Sequence, residues 1–457
     1  MTASSLRAVP VGEPIRLAKK TSNLFRARVD TERPGVDVSG LDGVIEIDPS
    51  ARTADVQGMA TYETLCAATL AYGLMPLVVP QLRTITLGGA VTGLGIESSS
   101  FRNGLPHESV LEMDILTGAG SIVTATPENT HRELFEAFPN SYGSLGYSTR
   151  LKIALDPVEP YVRLRHLRFD HLADLLATMG SITETREHDG HRVDFLDGVV
   201  FCEDESYAVL GTFVGTAPYT SDYAGQGIFY RSIQQRDEDY LSTSDYIWRW
   251  DTDWFWCNRA LGLQNPRVRR WVPRRYLRSD VYSRIIRFET RHGWMAALDA
   301  RRGRPPRERV VQDVELPLER TQEFLEWFLH DVPIEPIWLC PLRLRESNSP
   351  GAHAGGQTEE GAQPWPLYPM RCGQTYVNVG FWSTVPIIDG KRDGDVNREI
   401  ERVVHSLGGH KSLYSDAYYQ EDEFWGMYGG TAYDQVKKTY DPDGRLPDLY
   451  TKAVKRR

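Results

Sequence analysis

The segment 84–105, TITLGGAVTGLGIESSSFRNGL, constrains what this chain can fold into more than any other stretch. Four of its five glycines, Gly88, Gly89, Gly93 and Gly95, lie close together among small and hydroxyl-bearing residues. Glycine lets backbone N–H groups approach a pyrophosphate, which a Cβ atom would keep at a distance. The segment therefore indicates a loop that holds a phosphorylated cofactor, and a set of structural turns is the alternative.

The pattern differs from the dinucleotide-binding fingerprint GxGxxG. That motif needs a preceding strand, a following helix and an acidic residue about 20 positions later. Here hydroxyl residues and then Arg102-Asn103-Gly104 follow the glycines.

The flanking sequence lacks regular βαβ repeats and predicts an α+β unit rich in hairpins. The predicted strands are 43–48, 53–57, 111–117, 121–126, 151–155, 337–344 and 376–382, and the predicted helices are 60–70 and 131–138.

The length of 457 residues predicts two or three structural units. With 41% hydrophobic and 25% charged residues, the composition is that of a globular protein, which excludes disordered and collagen-like classes. No run of ~18 apolar residues suits a membrane-spanning helix, and the N-terminus lacks the apolar core of a signal peptide. We therefore expect a cytoplasmic enzyme, with peripheral contact at the inner face of the membrane as a further option.

Metal binding and disulfide bonding are not expected. The five cysteines are odd in number, widely spaced and without a CxxC pair. The only compact histidine pair, His188 and His191, flanks an Asp-Gly turn and has no Cys or acidic partner at ligand spacing.

One segment reverses the charge of the chain. The whole chain carries 52 basic and 62 acidic residues, a net charge of −10 that argues against binding nucleic acid or an anionic membrane by bulk charge. Residues 267–309 contain 14 arginines against four acidic residues, a local net charge of +10 that leaves −20 for the rest. The arginines alternate with aromatic residues such as Trp271 and Phe288, which suits an anionic membrane surface. The alternative is a solvated helical face paired with the surplus acids; nucleic-acid binding is not expected because no recognition motif accompanies the charge.

The chain resembles the vanillyl-alcohol oxidase/p-cresol methylhydroxylase family of FAD flavoproteins. The likeness is carried by residues 84–105, by GSLG at 143–146 and by YDPDGRLPDLY at 440–450. Within the family it is similar to the FAD-dependent sterol side-chain (24-dehydrocholesterol) reductase-like branch, which includes bacterial methylene-fatty-acyl reductases. The motifs similar to that branch are GIESSS at 95–100, VVQD at 310–313, PIWLCP at 336–341 and LYSDAYYQEDEFW at 413–425.

The resemblance implies an α+β, two-domain p-cresol methylhydroxylase-type FAD-binding fold with an α+β substrate-binding cap domain. The main part of the FAD-binding domain would be residues 1–157 and the cap domain residues 158–404. Residues 405–457 would return to the FAD-binding domain. Residues 346–366 in the cap are rich in Gly, Ser and Pro without periodicity, which predicts a mobile loop.

The resemblance also assigns the cofactor contacts. Pyrophosphate contacts map onto Thr86, Gly88, Gly89, Gly93 and Gly95, the flavin-proximal loop onto Ser98, Ser99, Ser100 and Gly104, and the adenine side onto Gly143, Gly146 and Ser148. Many relatives bond the flavin covalently through a histidine in a glycine-rich loop. The corresponding residues 17–26 contain neither residue type, so we expect non-covalent FAD. NADPH or NADH would donate electrons by binding transiently, since no separate dinucleotide motif is present.

The implied reaction is the reduction of an isolated carbon–carbon double bond. Such a bond is a poor hydride acceptor, because no carbonyl delocalises the charge that hydride leaves. Protonation first gives a tertiary carbocation that then takes hydride from reduced FAD, so the site needs an acid, a dry pocket and aromatic faces. The candidate proton donors are Asp416, Tyr418 and Glu97. The alternatives are a turn-capping role for Asp416 and binding of the FAD ribose or backbone by Glu97.

The candidate substrate-binding residues are Tyr376, Asn378 and Tyr414. A period of two in LYSDAYY would place Tyr414, Asp416 and Tyr418 on one strand face, which we expect to look toward the flavin. Most of the other aromatic residues are expected to be core residues.

Two lipid substrates suit this chemistry. We expect the methylene branch of a fatty acyl chain, reduced to a methyl branch as in 10-methyl fatty acid synthesis, because the sequence is rich in Arg and Asp and shows no N-terminal membrane helix. The alternative is the Δ24 double bond of a sterol side chain. A further alternative is an FAD-dependent oxidase or dehydrogenase of an alcohol or hydroxy acid.

Overall fold

The computed structural model describes residues 9, 17–18, 25, 35–225, 227–293, 297, 300–345, 360–388 and 390–455. These residues mix helices with sheets, as expected. The strands are β1 (Leu17–Ala18), β2 (Val36–Asp37), β3 (Val44–Asp48), β4 (Thr53–Gln57), β5 (Leu74–Pro76), β6 (Val110–Leu116), β7 (Ile122–Ala125), β8 (Tyr147–Pro157), β9 (Tyr161–Phe169), β10 (Glu187–His188), β11 (His191–Arg192), β12 (Phe195–Cys202), β13 (Glu205–Val214), β14 (Glu238–Ser242), β15 (Arg307–Pro317), β16 (Ile337–Arg343), β17 (Thr375–Pro386) and β18 (His410–Lys411). The α-helices are α1 (Tyr62–Leu70), α2 (Leu87–Thr92), α3 (Ser100–Asn103), α4 (Arg132–Ala137), α5 (Leu172–Thr185), α6 (Phe229–Ile233), α7 (Thr243–Ile247), α8 (Pro266–Arg269), α9 (Ser279–His292), α10 (Leu318–Asp331), α11 (Asp395–Ser406), α12 (Glu421–Met427), α13 (Gly430–Tyr440) and α14 (Leu449–Ala453).

The smaller sheet has the strand order β3-β4-β8-β6-β7, with β5 pairing on β8. Every pairing in it is antiparallel. The predicted β3–β4 pair and the predicted β6–β7 hairpin are confirmed. Alternate residues of β4 and β8, among them Val56, Leu151 and Ile153, are fully buried, because a period of two places them on the core face.

The larger sheet has eight strands in the order β14-β9-β13-β12-β16-β17-β15-β18, and its neighbours are antiparallel. Its two faces pack against different partners. On β16, Leu339 belongs to a core cluster with Leu175 of α5 and Phe328 of α10. Trp338 and Cys340, on the other face, belong to the core cluster of the smaller sheet and α2. The Trp338 face of the larger sheet is therefore turned toward the glycine-rich segment.

The last helices lie against loops of the smaller-sheet unit. Lys437 Nζ in α13 donates a hydrogen bond to the Ser144 carbonyl oxygen at 2.7 Å. Lys452 Nζ in α14 donates to the Gly143 carbonyl oxygen, also at 2.7 Å. The end of the chain thus packs on the unit that its beginning forms.

Residues 412–420 do not form the expected strand. The chain leaves the larger sheet after β18, and Tyr414, Asp416 and Tyr418 lie in irregular backbone. They still alternate with more deeply buried neighbours. The period of two in the sequence therefore reflects alternate burial of side chains along irregular backbone, and this segment is not a strand of the sheet.

Parts of three predictions lie outside the described residues. They are residues 19–24 and 26 of the predicted flavin-attachment segment, residues 346–359 of the predicted loop, and residues 294–296 and 298–299 of the basic segment. Non-covalent attachment of FAD and mobility of the loop stay predictions.

Candidate active site

The glycine-rich segment forms a turn that packs directly on the smaller sheet. Thr86 caps the N-terminus of α2, and its side-chain oxygen accepts a hydrogen bond from Gly89 N at 3.2 Å. A Cβ atom on Gly88 would lie 2.4 Å from Ser148 Oγ and 2.6 Å from the Gly58 carbonyl oxygen. Only glycine fits there, so the start of α2 and the start of β8 form one continuous surface.

A second loop, residues 139–146, meets this turn. Tyr142 N donates to the Thr92 carbonyl oxygen at 2.7 Å, which joins the loop to the C-terminal end of α2. Buried Asn140 Oδ1 and Ser141 Oγ have no hydrogen-bond partner among the described residues. Buried polar atoms normally have partners, so these two oxygens suit hydrogen bonds to a bound cofactor.

The residues of both loops fit the FAD that the sequence predicts. Gly93 ends α2, and a Cβ atom on Gly95 would lie 2.7 Å from ring atoms of two prolines, so both approaches are close. Gly143 and Gly146 have φ of +74° and +146°, a backbone conformation that favours glycine. The sequence prediction missed Asn140 and Ser141, although they belong to the same small and polar run as these glycines.

We expect the Ser141→Ala variant to weaken FAD binding without destabilising the flavin-free protein. The hydroxyl has no partner among the described residues, so its removal breaks no bond in the flavin-free state. A net hydrogen bond contributes about 1 kcal/mol, which corresponds to an increase in the FAD Kd of about fivefold. The Kd is measured by titrating flavin-free protein with FAD, and the Tm of the flavin-free protein is recorded in parallel.

The control is Ser181→Ala on the exposed face of α5, which should change neither quantity. A lower Tm of the Ser141→Ala protein with an unchanged Kd would assign Ser141 a purely structural role.

The predicted flavin-proximal loop is anchored on a buried ion cluster. Ser98 Oγ donates to Glu97 Oε1 at 2.7 Å and lies 2.8 Å from the Tyr246 hydroxyl. Arg249 is fully buried and donates to Glu97 Oε1 at 2.7 Å and to Asp197 Oδ2 at 2.9 Å. Burial raises the pKa of the Glu97 carboxyl against the opposing positive charge of Arg249. Because Asp197 lies in β12, the cluster joins the loop to the larger sheet.

The rest of that loop makes internal contacts. Ser99 Oγ donates to the Leu77 carbonyl oxygen at 2.9 Å, and Ser100 begins α3. Gly104 has a φ of +67°, and a Cβ atom there would collide with the Glu108 carboxylate. Burial raises the pKa of Glu108 to about 7. Contacts with the buried Leu77 carbonyl and the Glu108 carboxyl thus fix the position of this loop beside the larger sheet.

Asp313, in the VVQD motif, carries a buried carboxyl on the Trp338 face of the larger sheet. It was not chosen from the sequence as a site residue. The Tyr414 hydroxyl donates to Asp313 Oδ2 at 2.6 Å, and Asn378 Nδ2 donates to Asp313 Oδ1 at 2.9 Å. Trp382 Nε1 donates to the Tyr414 hydroxyl oxygen at 2.9 Å. Burial raises the pKa of Asp313 to about 6, although the hydrogen bonds from Tyr414 and Asn378 oppose the rise. Near neutral pH this carboxyl can therefore hold and release a proton.

The three expected proton donors do not come together. Arg309 Nη2 lies 2.6 Å from Asp416 Oδ2, so that carboxylate is paired. The Tyr418 ring lies 4.9 Å from the Arg398 guanidinium, at the start of α11. Glu97 belongs to the buried ion cluster described above. Each of the three lies in a different charged environment, and their catalytic role stays a prediction.

Two of the three predicted substrate residues do come together. Asn378 and Tyr414 both bond to Asp313, which is separated from Tyr414 by 101 positions in the chain. Tyr376 lies in the same strand as Asn378, and its hydroxyl donates to Gln374 Oε1 at 2.8 Å. Strand pairing between β15 and β17 brings Asn378 to Asp313, and Tyr414 reaches Asp313 from the irregular segment after β18.

Comparisons with known proteins bear on this site. A family model described as an FAD binding domain matches residues 8–126. The Δ24-sterol reductase of Homo sapiens is 28% identical over 436 residues, which cover 91% of this chain and 77% of the relative. The Δ24-sterol reductase of Arabidopsis thaliana is 26% identical over 460 residues, with 92% and 77% covered. Cytokinin dehydrogenase 2 of Oryza sativa subsp. japonica is 32% identical over 125 residues, with 27% and 22% covered.

The expectation of a cytoplasmic location is wrong. The relatives that match over most of the chain are named for the reduction of sterols, which are membrane lipids. In the part of the chain that the structure describes, no helix has the length and apolarity needed to cross a bilayer.

Proposed function

We propose that this chain reduces the isolated side-chain double bond of a sterol-like lipid. It is an FAD-dependent oxidoreductase in the sterol-reductase-like branch of the vanillyl-alcohol oxidase/p-cresol methylhydroxylase family, and it acts on a carbon–carbon double bond. The observation that carries this proposal is the likeness to Δ24-sterol reductases across 91% of the chain, which takes in the larger sheet as well as the FAD-binding part. The likeness to cytokinin dehydrogenase 2 covers only 27% of the chain, so it bears much less on the function of the whole chain. The alcohol oxidase alternative therefore lacks comparable support.

The expected preference for a methylene-branched fatty acyl chain is not supported. The relatives that cover most of the chain are named for sterol reduction and favour the alternative. The preference rested on a composition rich in Arg and Asp and on the N-terminal sequence, and neither describes the chemistry of a substrate pocket.

The proposal includes the p-cresol methylhydroxylase-type arrangement of two domains. We assign residues 1–157 to the FAD-binding domain, 158–404 to the cap and 405–457 to the returning segment. Two separate antiparallel sheets support this division. The hydrogen bonds that Lys437 and Lys452 donate to the loop at 143–144 support the return of the C-terminal segment.

The residues that would hold FAD belong to the α2 turn, the loop that follows Gly95, the loop at 139–146 and the start of β8. They are Thr86, Gly88, Gly89, Gly93, Gly95, Ser98, Asn140, Ser141, Gly143, Gly146 and Ser148. When bound and reduced, FAD supplies the hydride. NADPH or NADH as the source of electrons is part of the proposal.

Asp313 is the proposed proton donor. Its carboxyl is buried and hydrogen-bonded to Tyr414, so a proton can pass to the alkene from the carboxyl or from the tyrosine hydroxyl that the carboxyl re-protonates. The Phe255 and Trp382 rings lie 4.3 Å apart, and the Phe255 and Trp338 rings 5.3 Å apart, beside this pair. Such aromatic faces exclude water and stabilise a transient positive charge on carbon.

The experiment that tests the proposal is turnover with a sterol that carries a Δ24 double bond. Purified yellow protein is incubated with NADPH and the sterol, and the product is analysed by mass spectrometry. We expect a gain of two hydrogens, and in deuterium oxide one deuterium on the carbon that receives the exchangeable proton. Rapid flavin bleaching by an alcohol without NADPH, together with an unchanged sterol, would favour the oxidase alternative.

A further inference from the structure

Apolar side chains are exposed in one stretch of the basic segment. The described residues contain ten exposed large hydrophobic side chains, and five of them lie between positions 268 and 288. These five are Val268 (43% exposed), Trp271 (76%), Tyr276 (46%), Ile285 (45%) and Phe288 (49%). Single exposed apolar residues are common on proteins, whereas five in 21 positions indicate an interaction surface. We call residues 267–288 the arginine-aromatic surface.

The backbone that carries this surface is firmly anchored. Arg269 is 6% exposed, and its Nη1 lies 2.5 Å from Asp253 Oδ1. Tyr282 is fully buried, and its hydroxyl donates to the Thr252 carbonyl oxygen at 2.7 Å. Leu277 is 2% exposed. The exposed side chains therefore project from a packed segment, which makes their exposure a property of the fold.

The seven arginines of the surface whose side chains the structure describes fall into two groups. Arg269, Arg274, Arg278 and Arg284 form ion pairs with Asp253, Asp222, Glu63 and Asp280, as the solvated-face alternative predicts. Arg267, Arg270 and Arg275 have no ion pair among the described residues. Arg270 lies 5.3 Å from the Trp271 ring centroid, and Arg275 lies 4.9 Å from the Tyr276 ring centroid.

Unpaired arginines beside exposed aromatic rings match the interface of an anionic bilayer. The rings enter the boundary between headgroups and acyl chains, and the guanidinium groups pair with lipid phosphates. On α9, Ile285 and Phe288 lie three positions apart and so share one side of the helix, where both side chains are exposed, while Tyr282 faces the core. Charge and apolar exposure thus select the same type of partner.

Apolar contacts connect this surface with the proposed proton donor. Tyr282 and Ile286 of α9 belong to one apolar cluster with Trp254 and Phe25. The Phe25 ring lies 5.3 Å from the Trp254 ring and 5.7 Å from the Tyr414 ring. Since Tyr414 bonds to the proposed proton donor, a continuous series of apolar side chains leads from the surface to the site.

We propose that the arginine-aromatic surface docks on an anionic lipid bilayer and that the apolar series from α9 to Tyr414 receives the lipid substrate from it. The docking part stands on the surface alone. The part about substrate entry rests on the proposed function. Delivery from a bilayer fits a substrate too apolar to cross water as a monomer.

The docking is tested by flotation of the flavin-loaded protein with two kinds of vesicle. One kind contains phosphatidylcholine alone, and in the other about one lipid in three is phosphatidylglycerol, which is anionic. We expect binding to the anionic vesicles and loss of binding at high salt. Replacing Arg267, Arg270 and Arg275 by serine should weaken binding about 100-fold, since each basic residue near the surface contributes about fivefold. Trp271→Ser with Phe288→Ser should also release the protein.

The matched control replaces three exposed arginines elsewhere, Arg168, Arg320 and Arg402, by serine. This variant has the same net charge as the triple variant and should float like the parent protein. Equal flotation of the two triple variants, or equal binding to neutral and anionic vesicles, would overturn the docking.

Substrate entry is tested by comparing two forms of the same Δ24 sterol. The docking variant should lose turnover of sterol embedded in anionic vesicles and keep turnover of sterol dispersed in detergent. Equal loss in both forms would overturn the entry route. If the parent protein floats but reduces no sterol in either form, the proposed function fails while the docking stands.

Discussion

The Asp313→Asn variant is expected to reduce its flavin with NADPH at the parent rate and to lose alkene reduction by about 100- to 10,000-fold. This is the range that removal of a positioned general acid costs. Asparagine keeps the shape and the hydrogen bond from Tyr414, but it cannot supply a proton to the alkene. The two steps are measured separately by anaerobic stopped-flow absorbance of the flavin, first with NADPH and then with the sterol.

The pH dependence gives the same prediction a second readout. The protonated carboxyl is the active form, and its pKa is raised to about 6. The rate of the alkene step should therefore be constant below about pH 6 and fall about tenfold for each pH unit above it. The inflection should be absent in the Asp313→Asn variant.

The matched control is Glu315→Gln. Glu315 is a buried carboxyl two positions further along β15, on the same face, and it accepts a hydrogen bond from Ser412. Its replacement should leave the alkene step and its inflection in place. If Glu315→Gln abolishes the step while Asp313→Asn retains it, the proton donor has been assigned to the wrong carboxyl.

Replacing Arg249 by methionine should lower the free energy of unfolding by about 3–5 kcal/mol at neutral pH. Arg249 is fully buried between Glu97 and Asp197, and its loss leaves two buried carboxylates without a counterion. Methionine fills most of the side-chain volume, so the effect reports charge more than packing. The measurement is urea unfolding of the flavin-loaded protein with linear extrapolation.

The deficit should shrink as the pH falls. Burial already raises the pKa of Glu97, and without Arg249 it rises further, so the folded variant binds protons more tightly than the unfolded chain. Stability gained by protonation is present at low pH and lost as the pH rises through the folded-state pKa. The difference between parent and variant is therefore expected to be larger at pH 8 than at pH 5.

The control for this variant is Arg284→Met. Arg284 is 70% exposed and pairs with Asp280 at 2.7 Å in solvent, where such a pair contributes less than about 1 kcal/mol. One contrary result is that the two substitutions lower the free energy of unfolding by the same small amount, and another is that the loss at Arg249 does not change with pH. Either result would contradict the presence of charged Glu97 and Asp197 carboxylates in the folded protein.

Local features of the fold were predictable because their causes are local. Period-two runs bounded by turns gave the β3–β4 pair and the β6–β7 hairpin. The glycine-rich run predicted a loop that holds a phosphorylated cofactor, with structural turns as the alternative. The close contact of Gly88 with Gly58 and Ser148 shows such a turn, and the cofactor contact stays a prediction. Features of this kind depend on residues that are close together in the sequence.

The proposed chemistry was not predictable from local signals. Asp313 acquires its proposed role from Tyr414, 101 positions away, and Arg249 meets Glu97 across 152 positions. Both contacts depend on which strands pair and in which register. Asp416, by contrast, stands in an apparently regular pattern, yet the chain leaves the larger sheet just before it.

The charge of the basic segment was predictable only as a sum. The sequence assigns +10 to residues 267–309, but it does not say which arginines are used inside the protein. The structure buries Arg269 against Asp253 and leaves Arg270 beside the exposed Trp271 ring. Part of the charge therefore stabilises the fold, and part is available to a lipid surface.

The most direct measurement is anaerobic mixing of the NADPH-reduced protein with a Δ24-unsaturated sterol and, separately, with a phospholipid that carries a methylene-branched acyl chain. Flavin reoxidation is followed by absorbance, and the lipid is recovered for mass spectrometry. We predict reoxidation by the sterol with a gain of two hydrogens in its side chain. Reoxidation by the methylene-branched lipid alone, or by neither lipid, would contradict the proposed function.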